Sequence, residues 1–203
     1  MAHRHDDHRL KALLTQECAR IMAEEGGQDF RIAKRKAALR LAATDRTALP
    51  GNAEIEQALL DYQRLFHADR QASHLRGLRE TALKTMRFLV DFRPRLVGPV
   101  LSGAAGPYAS IHLHLFADTP KDPLMFLMEQ RVPFETSEHR LRMSNGDQVW
   151  LPAFRFNAGD HLVDLTIFPS LDEREAPCSP IDGRPMRRAG LAEVEALLAE
   201  GQP

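Results

Sequence analysis

The stretch RLVGPVLSGAAGPYASIHLHLFAD, residues 95–118, constrains the chain most. A short apolar run ends in Gly98-Pro99. A loop rich in small residues follows, and then comes the alternating segment ASIHLHLFAD. In a strand, side chains alternate between faces, so Ser110, His112, His114 and Phe116 share one face and Ile111, Leu113 and Leu115 the other. The pattern is strand, small-residue loop, strand, with polar groups side by side on the second strand.

Around this centre the chain changes character once. Leu10, Leu13, Leu14, Cys18, Ile21 and Met22 recur at helical spacing, predicting a helix to about Glu25. Asp6 or Asp7 is its expected N-cap, and Gly26-Gly27 its expected stop. Phe30 to Ala43 reads as a second helix. Leu49-Pro50-Gly51 is a turn, and Asn52 is the expected cap of a third helix marked by Ile55, Leu59, Leu60, Tyr62, Leu65 and Phe66. His67 to Ser73 reads as a polar joint before a fourth helix from His74 to about Phe92, stopped by Pro94.

From there strands dominate. The reading is strand 95–101, strand 109–117, helix 121–131, and then strands Phe134–Met143, Val149–Phe156 and His161–Phe168. Ser144-Asn145-Gly146-Asp147 and Asn157-Ala158-Gly159-Asp160 supply the turns. A Pro/Gly-rich connection leads to a last short helix from about Leu191. The expected fold class is α+β: a helical N-terminal half followed by a mixed β-sheet with flanking helices. The expected division is a helical region over 1–73 and an α+β domain over 74–203.

Composition excludes little. A formal net charge of -1 gives no global field for nucleic acid or an anionic membrane. No apolar run approaches the ~18 residues of a membrane span, and MAHRHDDHRL lacks the apolar core of a signal peptide. A cytoplasmic location is the default. Cys18 and Cys178 stand far apart; a disulfide is open to them, but two thiols in a reducing compartment are expected.

Four places carry candidate chemistry. Asp164 sits among Leu162, Val163, Leu165 and Ile167, where an unpaired carboxylate is costly. It must face a cleft, a cation, a metal or solvent. His112 and His114 project together and have transition-metal ligand chemistry; His161 and Asp164 join them if their strand lies alongside. The bland alternative is a pair of strand-edge histidines. Gly98, Ser102, Gly103 and Ser110 belong to or border a loop whose glycines allow close backbone approach to a phosphorylated ligand. It matches neither GxxxxGK[ST] nor GxGxxG, and a plain connection is the competing reading. Arg31, Lys34, Arg35, Lys36 and Arg40 could meet nucleic acid or an acidic partner, or simply form a solvated helix face. His3, His5, Asp6, Asp7 and His8 have ligand types too, but read as a solvated chain end.

The order of strand, Gly-containing loop, strand with spaced polar residues, helix and later acidic strand resembles the nucleotidyltransferase superfamily of the DNA polymerase beta type. The resemblance covers roughly residues 75–170. Gly98 and Gly103 stand at the family's two glycines, Ile111 and Leu113 at the apolar positions of its second strand, and Asp164 in HLVDLTIF at its third acidic position. Pro99 replaces the serine of the Gly-Ser pair. Ser110 and His112 occupy the paired-aspartate positions; shifting by two puts His112 and His114 there, still without a carboxylate.

The whole chain also resembles small bacterial proteins carrying such a region. The resemblance implies a nucleotidyltransferase-like fold with a degenerate metal site and catalysis or metal contact through Asp164; a divalent metal held by His112, His114 and Asp164, in a metal-binding protein or hydrolase, is a separate reading from the residues. Gly98, Ser102, Gly103 and Ser110 would lie against a nucleotide or phosphorylated small molecule. Magnesium needs hard oxygen ligands, so a protein that keeps the fold with the reaction altered or lost is the expected consequence.

Overall fold

The structure is a computed structural model. It describes residues 2–25, 29–43, 49–66 and 68–200. The order is α1 (Ala2–Glu25), α2 (Phe30–Arg40), α3 (Asn52–Phe66), α4 (Ala68–Phe88), β1 (Arg95–Val97), α5 (Pro99–Ser102), β2 (Ile111–Ala117), α6 (Lys121–Glu129), β3 (Glu135–Arg142), β4 (Gln148–Ala158), β5 (His161–Pro169) and α7 (Leu191–Glu200). Single 3-10 turns lie at Val90–Phe92 and Ser170–Arg174. The architecture is α+β, with helices in the N-terminal half and a mixed sheet in the C-terminal half. Among the described residues no helix is long and apolar enough to cross a membrane.

The chain forms two compact units. One contains the chain through Ala72 with Ala104–Ala109 and Pro180–Asp182. The other contains Ser73–Gly103, Ser110–Ser179 and the chain from Gly183 onward. In the helical unit α1 buries Leu14, Cys18, Ala19, Ile21 and Met22 against Ala33 and Ala37 of α2 and Ile55, Ala58 and Leu59 of α3. The two alanines, four apart, are the buried residues of α2. They let its backbone come close to α1.

In the second unit the sheet order is β1-β2-β5-β4-β3. β2 and β5 are parallel, and the other pairs are antiparallel. Ile111, Leu113 and Leu115 of β2 and Val163, Leu165 and Ile167 of β5 line one face and are buried. Their neighbours turn to the opposite face, where the register sets His112 against Asp164, His114 against Thr166 and Phe116 against Phe168.

Several boundaries differ from expectation, each for a physical reason. The first helix begins at Ala2, upstream of an Asp6 or Asp7 cap. The Gly26-Gly27 stop lies outside the described residues. Asn52 is the first residue of α3 rather than its cap; its side-chain amide donates to the Pro180 carbonyl, and Glu54 accepts from the Gly51 N–H. The joint expected before His74 is helical from Ala68, since ADRQAS holds neither Gly nor Pro to break it. At the other end α4 stops at Phe88, and Val90–Phe92 tightens into a 3-10 turn. Strand 95–101 ends at Val97, because Gly98 takes φ +72 and Pro99 opens a helical turn.

Candidate functional site

Asp164 is the centre of the polar face of the sheet. It is 3% exposed, which removes the reading of it as a solvated strand residue. Arg155, its partner on β4, donates to Asp164 Oδ2 from Nη2 at 2.7 Å and from Nε at 3.2 Å. Asp164 Oδ1 lies 3.3 Å from His139 Nε2 but makes no hydrogen bond to any described group. The other nitrogen of His139, Nδ1, is 2.9 Å from Thr166 Oγ1. Three strands, β3, β4 and β5, therefore bring His139, Arg155, Asp164 and Thr166 together.

His112 joins from β2, directly across the parallel ladder from Asp164. It is half-buried. Burial holds its imidazole below the usual histidine range, while the Asp164 carboxylate pulls the other way. Above it, a Cβ built on Gly98 would meet His112 Cδ2 at 3.5 Å. Gly98 has φ 72 and ψ -154, a conformation reserved in practice for glycine. Gly98 at the end of β1 thus stands against His112 on β2, which is the register partner of Asp164 on β5.

The loop residues divide. Gly103 is the left-handed C-cap of α5, with φ 90 and its N–H donating to the Pro99 carbonyl. Arg79 of α4 donates to the carbonyls of Val100 and Leu101, which covers the C-terminal end of this short helix. Ser102 is exposed and Ser110 half-buried.

His114 has a different task. Its Nδ1 accepts from Arg188 Nε at 3.1 Å. Arg188 lies over the rings of Phe116 and Phe168, 5.0 and 4.6 Å from their centroids. Its Nη1 also donates to the carbonyls of Asp172, Glu173 and Glu175. Burial holds His114 well below the ordinary histidine range, and the Arg188 charge adds to that. The same burial pulls Arg188 down to about 10. One guanidinium thus ties the C-terminal segment to the sheet and fixes the neutral tautomer of His114 that accepts at Nδ1.

His161, considered a fourth ligand, belongs to the opposite face of β5. Its Nδ1 lies 3.0 Å from Thr81 Oγ1, and Gly77 of α4 makes room for its ring. The ligand set His112, His114 and Asp164 is therefore split: His112 stands beside Asp164, whereas His114 is one ladder position on and engaged by Arg188. Among the described residues no three His, Cys, Asp or Glu side chains come together as a metal would need. Cys18 and Cys178 are both free thiols, and burial raises that of Cys18 to about 11.

Two cations of the basic run on α2 are engaged within the helical unit. Lys36 pairs with Glu25, and Arg40 bridges Glu17 at 3.0 Å and Glu25 at 2.8 Å. Arg31 lies 3.5 Å from Asp29, the residue that caps α2. Charges neutralised at this range offer little to a distant phosphate.

His139 and Arg155 were missed by sequence reasoning. His139 is an ordinary polar residue in a polar strand and Arg155 a single cation in a mostly apolar one, and only the strand order reveals them. The available signal was Asp164 itself, since a buried carboxylate needs a cation. No family model matches the chain, and no curated protein matches it.

Proposed function

We propose that this protein is a nucleotidyltransferase-like protein whose metal site has degenerated and which binds a nucleotide or phosphorylated small molecule without metal-dependent transfer. The proposed binding place is formed by Gly98, Ser102, Gly103 and Ser110 beside His112. One observation carries the reading: His112 and Asp164 are direct partners on adjacent parallel strands, under the bare Cα of Gly98. His112 and Asp164 lie far apart in sequence, and each is also a candidate on its own chemistry. Their adjacency supports the reading.

The chemistry of the donors separates binding from transfer. In-line nucleotidyl transfer uses clustered carboxylates to hold metal on the attacking and leaving oxygens. Here the second-strand position carries an imidazole, and the remaining carboxylate is bonded to a guanidinium. A transition-metal reading built on His112 and His114 finds less support, because Arg188 engages His114.

Thermal unfolding with and without nucleoside triphosphates tests the reading. A ligand at 100 times its dissociation constant adds about 2.7 kcal/mol, a clear rise in Tm. We expect stabilisation by triphosphate, reduced in Gly98→Val, and no nucleotide transfer by the wild type. An absence of stabilisation by any nucleotide or by inorganic phosphates would sink the proposal.

A further inference from the structure

We infer that Arg155 takes the place of the divalent cation at this site, so that phosphate binding is independent of metal. The inference rests on the proposed binding function and specifies its chemistry. A metal at Asp164 would need the carboxylate oxygens. Oδ2 is occupied by two nitrogens of Arg155, at 2.7 and 3.2 Å. Oδ1 is buried and faces His139 Nε2 at 3.3 Å. Among the described residues no three His, Cys, Asp or Glu side chains converge to complete a ligand set. The residues present do not fit magnesium.

They do fit an anion. Asp164 grips one side of the guanidinium, through Nε and Nη2, and thereby fixes its plane. The Arg155 side chain remains 44% exposed, while Asp164 is 3% exposed. The cation thus reaches solvent and the carboxylate does not. A guanidinium anchored along one edge is a pre-oriented donor for a phosphate oxygen. His112 lies two strands away across Asp164, and burial holds its imidazole below the ordinary histidine range. The ligand class is therefore a phosphate or polyphosphate group, presented without a bound metal.

The test compares binding of inorganic triphosphate and of ATP, in excess EDTA and in excess magnesium, by titration calorimetry. The wild type should bind with the same affinity in both. Arg155→Met alone strands a buried carboxylate and risks unfolding. The decisive variant is Arg155→Met with Asp164→Asn, which removes both charges. It should keep a cooperative thermal transition and lose at least about tenfold in affinity, the weight of one charge-assisted bond. Binding that appears only with magnesium would overturn the inference and leave the proposed function standing. Unchanged affinity in the double variant would also overturn it. No binding of either probe under either condition would overturn both.

Discussion

At Gly98 a single backbone conformation positions the site. The φ of 72 and ψ of -154 are sterically closed to other residues. The nearest atom to a new Cβ, His112 Cδ2, would be at an ordinary 3.5 Å. The cost of Gly98→Ala is thus backbone strain rather than a clash. It should lower stability by about 1–3 kcal/mol, read as a lower urea midpoint with an unchanged m-value. A midpoint equal to wild type would show that the β1–α5 turn can relax. Arg188 is the other residue whose loss reaches far. Arg188→Met keeps much of the stacking over Phe116 and Phe168 but removes the donors to His114 and three carbonyls. We expect a loss of about 2–3 kcal/mol and faster hydrogen exchange of residues 172–175. Exchange confined to its wild-type rate would argue that solvent replaces the guanidinium.

Helix α2 provides the test at the scale of an element. Asp29 accepts from the backbone N–H of Arg31 at 2.7 Å and of Ile32 at 3.4 Å. Asp29→Ala should cost about 1 kcal/mol and Asp29→Ser much less, since a hydroxyl also caps. Equal midpoints for the two variants would remove the cap from the account. The elements also show what sequence could and could not reveal. Alternation in ASIHLHLFAD and HLVDLTIF identified β2, β5 and the side chains that share each face, because a period of two is a local property; it did not reveal that both faces are largely buried. Gly98-Pro99 and the run ADRQAS were misread at their edges. A Pro that starts a helix and a polar segment that continues one depend on surroundings more than on composition. The cluster at Asp164 was half legible. The apolar neighbours of Asp164 left a cleft, a cation, a metal or solvent open to it. The identity of that cation depended on β4 pairing with β5, and His139 reaches in from beyond it. Strand order is a long-range property, and no spacing within a strand encodes it.

Across the whole molecule, the buried histidines tie stability to pH. Burial depresses both His112 and His114, the latter further because Arg188 stands against it. In the unfolded chain each imidazole takes a proton near its ordinary value of about 6.5. The folded chain resists that proton, so the unfolded state binds more protons as pH falls. Stability is therefore full above about pH 6.5 and declines as pH drops from there toward the folded values. The slope can reach about 1.4 kcal/mol per pH unit for each proton involved. Carboxylates held low by their partners, such as Glu17, Glu25, Glu54 and Asp29, enter only below about pH 4.5. The interval between about pH 6.5 and about pH 4.5 is thus governed by histidine. Urea midpoints measured across it should fall in the wild type. His114→Gln should flatten the curve, because the amide oxygen can still accept from Arg188 Nε and has no proton to gain. A His114→Gln curve parallel to wild type would mean that protonation of His114 is not what weakens the fold, and would assign the slope to His112.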